Sequence, residues 1–237
     1  MSERDNRRAT VPDPWPDPWA APPRVHEPAF KLAWPTGVVV AVLILIFIAQ
    51  LLTGGADVTG NQFGFAPVSL TQGGWWTVFT AMFVHGSWAH VLVNSVFCIA
   101  FGQPVARRFG LSPLGGAIFL LFFVLCGLAG NLGYALIHPN GYQPVVGASG
   151  AIAGLYAGAS RLMRNGTGVA PLVSPPVVVM GAAWITINLV IGLLHVDAGF
   201  GTGGAPVAWE AHIAGYLAGL LLIGLFVRAA PGPGFRR

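Results

Sequence analysis

The chain has 237 residues, 54% of them hydrophobic and only 8% charged, with a mean hydropathy of +0.68. Soluble domains carry about 25% charged residues, so the composition excludes a soluble globular protein and describes an integral membrane protein. The formal net charge of +4 does not call for a nucleic-acid partner, because surplus Lys and Arg in a membrane protein record its topology.

Residues 1–33 are rich in proline and charge, as in Asp13-Pro14-Trp15-Pro16-Asp17-Pro18 and Ala21-Pro22-Pro23-Arg24. They hold no apolar run, so they read as a disordered cytoplasmic tail and not as a signal peptide. A membrane domain is expected over residues 34–229 and a short cytoplasmic tail over 230–237. Within the domain, six apolar segments fall at about 35–53, 83–101, 113–137, 147–163, 176–195 and 209–228. Each is near the ~20 residues that cross the hydrocarbon core, the fourth being short. The connection from Thr53 to Trp76 is long, and Trp75 and Trp76 suit the headgroup level. Cys98 and Cys126 lie inside apolar runs and read as core thiols.

The twelve basic residues set the orientation. Arg4, Arg7, Arg8, Arg24 and Lys31 precede the first span; Arg107 and Arg108 follow the second. Arg161 and Arg164 close the fourth, and Arg228, Arg236 and Arg237 end the chain. The alternate connections, 53–82, 138–146 and 196–208, have none and carry Asp57 and Asp197 instead. Six spans with both termini cytoplasmic satisfy the positive-inside rule throughout.

Polar groups at membrane depth are costly and are functional candidates by default. The short list is His85, His90, Asn94, Asn131, Ser149, Asn188 and His212. In the six-span arrangement the second, fourth and sixth spans all start at the external face. His90, Asn94, Ser149 and His212 lie near those starts, so three segments present polar groups at a similar shallow depth. His90 and Asn94 are four apart and share a helix face. Gly150, Gly154 and Gly158 form a smooth ridge that fits Gly215-x-x-x-Gly219, and this packing brings Ser149 and His212 together.

The residues alone leave two readings of Ser149: a small packing residue, or a nucleophile activated by His212 as base. With no intramembrane Asp or Glu left over, and Glu210 expected to point elsewhere, the second reading is a Ser–His dyad. The Ser149 N–H, His90 and Asn94 could then hold an oxyanion. A metal site at His85, His90 and His212 is disfavoured, since no His-Glu-x-x-His or carboxylate pair accompanies them. His85, off the face of His90, reads as a loop-ordering residue. His138 and His195 read as interfacial, and Asn131 and Asn188 as interhelical hydrogen-bonding groups.

Three pieces now stand together: His85-Gly86-Ser87-Trp88-Ala89-His90-Val91-Leu92-Val93-Asn94, then Gly147-Ala148-Ser149-Gly150, then Ala211-His212-Ile213-Ala214-Gly215-Tyr216-Leu217-Ala218-Gly219. In this order, on the second, fourth and sixth spans, they resemble the rhomboid intramembrane serine proteases over roughly residues 70 to 228. The resemblance implies an all-α bundle of six transmembrane helices. It implies Ser149 as nucleophile and His212 as base, with His90, Asn94 and Ser149 in the oxyanion hole and His85, Gly147, Gly150, Gly154, Gly215 and Gly219 in support. It also implies a covalent acyl-enzyme, no cofactor and no metal. The partners it implies are membrane lipid and transmembrane protein substrates cut near the outer face, in a cell membrane of the bacterial inner-membrane kind. Oligomeric state is left open, because glycine ridges serve packing within and between chains.

Three positions depart from the family pattern. Thr77 stands where relatives often have Arg after Trp, and Ala106 where a glutamate is common. Ala153 replaces an aromatic that packs on the histidine, a place that Tyr216 could fill instead. A catalytically silent binder of membrane clients and a small transporter are the alternatives. The first typically lacks the serine or histidine, and the second predicts polar groups along the full depth of the bundle.

Overall fold

The computed structural model describes residues 32–163, 168–193 and 207–232. The expected N-terminal tail through Lys31, together with Arg164, His195, Asp197, Arg236 and Arg237, lies outside the described residues. In chain order come α1 (Trp34–Leu52), α2 (Ala56–Phe63), a 3-10 turn (Pro67–Leu70) and α3 (Thr77–Thr80). Then follow α4 (Trp88–Phe109), α5 (Pro113–Ile137), α6 (Ser149–Leu162), α7 (Pro175–Leu193) and α8 (Trp209–Ala229). Among the described residues there is no strand, only one isolated antiparallel bridge between Phe65 and Val145.

Local chemistry explains where the helices begin and end. Proline occupies the first turn of α1 and α5, where its missing N–H costs nothing. Ser112 accepts from the Gly115 N–H at 3.2 Å and Ser87 from the His90 N–H at 3.1 Å, so both cap orphan donors. The Ser87 cap moves the second span from the expected 83–101 to Trp88–Phe109. Residues 83–87 are apolar enough to join a hydropathy run, but Ser87 is extended and starts the helix five residues later. The helix then passes through Pro104 and ends at Gly110 with φ +95°.

Five helices, α1, α4, α5, α7 and α8, are long and apolar enough to cross a membrane. The fourth expected segment, 147–163, forms α6, whose 14 residues reach about 21 Å against a hydrocarbon core of about 30 Å. Ten of its residues are buried. Short and covered, α6 is the axis of the bundle rather than a lipid-facing helix.

What packs α6 against α8 is the absence of side chains. A methyl built on Gly215 would collide with the backbone of Gly150, and one on Gly219 with the backbone of Gly154. One step further along, Gly158 makes room for Ile223 at 3.3 Å. A third wall comes from α5, where Gly130 faces the Ala211 carbonyl and Cys126 fills the space beside Gly154. Beyond the glycines the core is conventional, with Phe109, Phe119, Phe122, Phe123, Leu155 and Ile223 fully covered. Arg161 ties the far end of α6 in place, donating to Ala170 O at 2.8 Å and to Leu220 O on α8 at 2.7 Å.

Replacing Gly215 by Ala forces a methyl into the Gly150 backbone and is expected to cost about 1–3 kcal/mol of stability. Gly224→Ala, inside α8 with nothing within 4 Å, is expected to leave stability unchanged or raise it by up to about 1 kcal/mol. Thermal unfolding in detergent, followed with a thiol dye that reacts as the buried Cys98 and Cys126 become exposed, compares the two.

Candidate active site

Ser149 is the first residue of α6, so the N–H groups of Ser149, Gly150 and Ala151 have no partner within the helix. The chain arrives there through Gly147, which has φ +112° and is held by its N–H donating to Ala81 O at 2.8 Å. That backbone conformation suits glycine alone, and space demands glycine too. A methyl at Gly147 would lie 2.7 Å from His90 Nε2 and 3.4 Å from Asn94 Nδ2. The bend thus aims Ser149 while admitting two α4 side chains close beside it.

From α8, His212 places Nε2 2.8 Å from Ser149 Oγ. The residue pair lies just before the Gly150–Gly215 contact on both helices, so the backbone approach carries the side chains together. On its other side, His212 Nδ1 is 2.8 Å from Asn188 Oδ1 of α7. The Asn188 amide donates in turn from Nδ2 to Trp184 O at 2.8 Å. Glu210 takes no part: its Oε1 accepts from His138 Nε2 at 2.9 Å.

On α4, one helical turn separates His90 from Asn94. Both line the same cavity as Gly147, Ser149, Gly150 and His212. Asn94 Nδ2 and His90 Nδ1 are buried and make no hydrogen bond with the described residues. An uncommitted buried donor costs about 1–3 kcal/mol, which makes the Asn94 amide a feature that needs a partner. The cavity has a volume of about 190 Å³, and Val93, Phe97, Ile152, Ile187 and Ile191 supply apolar wall.

His85 stands behind this group, its ring edge-on to that of His90 with centroids 5.0 Å apart. Gln50 of α1 grips its backbone from both sides, donating to His85 O at 3.1 Å and accepting from His85 N at 2.9 Å. Burial, and secondarily the nearby His90, push its pKa down to about 3. It is therefore neutral at ordinary pH and orders the chain between α3 and α4.

The structure thus brings Ser149, His212, His90, Asn94, Gly147 and Gly150 to one cavity, with Gly154, Gly215 and Gly219 in the helix contact beneath it. Two further residues belong to the site. Asn188 is the partner of His212, where the sequence suggests only a generic interhelical bond; a lone amide in the apolar run that forms α7 was the available signal. Trp184 is the ring that faces His212, with centroids 6.3 Å apart. Tyr216 does not fill the place left by Ala153 in the expected way. It lies a turn beyond His212, packs with Ala153 and Ala157, and sends its hydroxyl toward Gly181. Asn131, the other intramembrane amide, donates to Val78 O at 2.8 Å and joins α5 to the start of α3.

Residues 72–229 match the Rhomboid domain family. The chain belongs to the rhomboid family. Among its relatives, YdcA of Bacillus subtilis is 37% identical over 42% of this chain and 44% of its own length. RHOMBOID-like protein 1 of Arabidopsis thaliana is 31% identical over 72% of this chain and 40% of its own. Rhomboid protease GluP of Bacillus subtilis is 26% identical over 81% of this chain and 34% of its own. The chain is matched to less than half the length of each. With its apolar helices, this rhomboid is a multi-pass membrane protein.

Gly147→Ala adds steric conflict with His90 to backbone strain, whereas Gly73→Ala, at φ +84° with nothing within 4 Å, adds strain alone. Strain at a positive φ costs about 1–3 kcal/mol. Both variants are expected to lose stability, and Gly147→Ala to lose at least about 1 kcal/mol more, read as the difference between their unfolding curves.

Proposed function

We propose that this rhomboid is an intramembrane serine endopeptidase whose membrane domain, residues 34–229, cleaves transmembrane protein substrates. The observation that carries the reading is the 2.8 Å approach of His212 Nε2 to Ser149 Oγ inside a cavity of largely apolar wall. Ser149 Oγ attacks the carbonyl carbon of the scissile peptide while its proton passes to His212 Nε2. The tetrahedral oxyanion accepts hydrogen bonds from the Ser149 N–H and Asn94 Nδ2, with His90 beside them, at the positive end of the α6 dipole. His212 then gives its proton to the leaving amine, the C–N bond breaks, and an acyl-enzyme on Ser149 remains. Water, deprotonated by His212, hydrolyses that ester and restores the serine.

The uncommitted Asn94 donor supports this role, since a developing oxyanion supplies what it lacks. The charge pattern supports a membrane with both termini on the cytoplasmic side, the site opening outward and the cut falling near the outer face. A bacterial inner membrane suits that arrangement. A glutamate is not required at the site, because the neutral imidazole of His212 is itself the base.

Purified protein in detergent, given a panel of single-span substrates, is expected to cleave at least one of them. Ser149→Ala should abolish cleavage, and His212→Ala should lower kcat by about 10²–10⁴-fold. Asn94→Ala, which removes one oxyanion donor, should lower kcat by about 10²-fold. A fluorophosphonate probe should label Ser149. Cleavage that survives Ser149→Ala, or labelling elsewhere, would sink the reading. A protein that binds these substrates without cutting any would instead be a silent rhomboid-like binder.

A further inference from the structure

We infer that Asn188 is the residue that makes His212 a base, by fixing which ring nitrogen carries the proton. This rests on the Ser149–His212 reading and adds a third member to it.

Donor and acceptor directions assign the ring proton. Trp184 O is a carbonyl and can only accept, so the group of Asn188 that meets it at 2.8 Å is the Nδ2 amide. That orientation leaves Oδ1 facing His212 Nδ1 at 2.8 Å. An amide oxygen can only accept, so Nδ1 carries the hydrogen. A neutral imidazole has a single N–H, which leaves Nε2 with its lone pair directed at Ser149 Oγ, 2.8 Å away. The serine hydroxyl is then the donor. Read from one end to the other, Ser149 donates to His212, His212 to Asn188, and Asn188 to the α7 backbone.

Each alternative places like groups together. Turning the Asn188 amide over would set its oxygen against Trp184 O and its NH₂ against a histidine N–H. Moving the ring proton to Nε2 would set the bare Nδ1 against Oδ1 and make Ser149 the acceptor, which is the wrong direction for a nucleophile. Both leave buried acceptors facing each other, and Asn188 is only 2% exposed.

The position also explains why a polar residue sits on this stripe at all. The buried residues of α7 are Val177, Gly181 and Asn188, with Trp184 half-buried between them. An amide on such a face is costly unless bonded, and both of its groups are bonded here. When His212 takes the serine proton, its Nδ1–H keeps the Asn188 oxygen, so the ring does not rotate as it becomes charged. Asn188 is a positioning residue: it touches the base, and neither substrate nor nucleophile.

Steady-state kinetics and ¹⁵N NMR of histidine-labelled protein in detergent test this. Asn188→Ala is expected to lower kcat by about 10–100-fold with KM changed by less than about twofold, as loss of one buried hydrogen bond predicts. Asn188→Asp, which keeps the acceptor oxygen, should recover most of kcat; Asn188→Leu should not. In the parent protein the His212 signals, assigned by their loss in His212→Gln, should show Nδ1 protonated and Nε2 bare. Parent-like kcat in Asn188→Ala, equal losses in the Ala and Asp variants, or a parent His212 protonated on Nε2 would each overturn the role of Asn188. The parent spectrum decides even where a variant fails to fold. Ser149→Ala run alongside separates the two levels: cleavage surviving there removes the dyad itself, whereas its silence beside an unaffected Asn188→Ala leaves the dyad and removes Asn188 alone.

Discussion

The backbone-to-backbone approach of α6 and α8 is the constraint on which the rest depends. Lipid tails are as apolar as leucine, so helices in a membrane gain little by burying apolar surface and must associate through close packing. Gly150 against Gly215 and Gly154 against Gly219 supply it. The same contact fixes how far apart the side chains at the start of the two helices stand. Packing and the Ser149–His212 distance are therefore one variable, not two. Gly130 and Cys126 on α5 close the third side and stop α6 from rolling about its axis.

The site is built almost entirely from neutral groups. Among the described residues lining the cavity there is no Asp, Glu, Lys or Arg. The nearest carboxylate along the chain, Glu210, is engaged with His138. In a low-dielectric surrounding, an isolated charge carries a large desolvation cost, whereas a neutral amide needs only its hydrogen bonds. The two sides of Ser149 differ in how fully those needs are met. From Ser149 through His212 and Asn188 to the Trp184 carbonyl each step is hydrogen-bonded, while on the α4 side the Asn94 amide lacks a partner among the described residues. A doubly bonded imidazole and an open amide donor stand on opposite sides of one hydroxyl.

Much of this was legible in the chain, and for identifiable reasons. The alternation of basic and basic-free connections suggests a common depth for His90, Asn94, Ser149 and His212, and all four line one cavity. The glycine spacings named the faces that meet, and the bounds of α5 agree with its hydropathy run. Other features were hidden. Hydropathy cannot separate Phe83 and Val84 from the helix that follows; the start of α4 is set by Ser87, which is extended and caps the His90 N–H. The partner of His212 was not legible because α7 is apolar nearly all round, and no periodicity in it reveals which face meets α8. For a related reason the ring near His212 is Trp184 of α7, while Tyr216 packs beside Ala153 with its hydroxyl toward Gly181: the sequence shows how far Tyr216 lies from His212 along α8 but not where α7 sits.

Ser149 is the first helical residue of α6, and Gly150 through Leu155 behind it are all buried. Its Cα therefore belongs to a helix packed on several sides, and the hydroxyl has one remaining freedom, rotation about χ1. Three staggered wells are open to a serine in isolation, so selecting the one that faces His212 costs at most RT ln 3, about 0.65 kcal/mol at 25 °C. A nucleophile on a surface loop would have to order several backbone torsions as well, at about 1–2 kcal/mol per residue. For the nucleophile proposed here, beginning a helix with that residue transfers the entropic cost from each encounter with a substrate to the single event of folding.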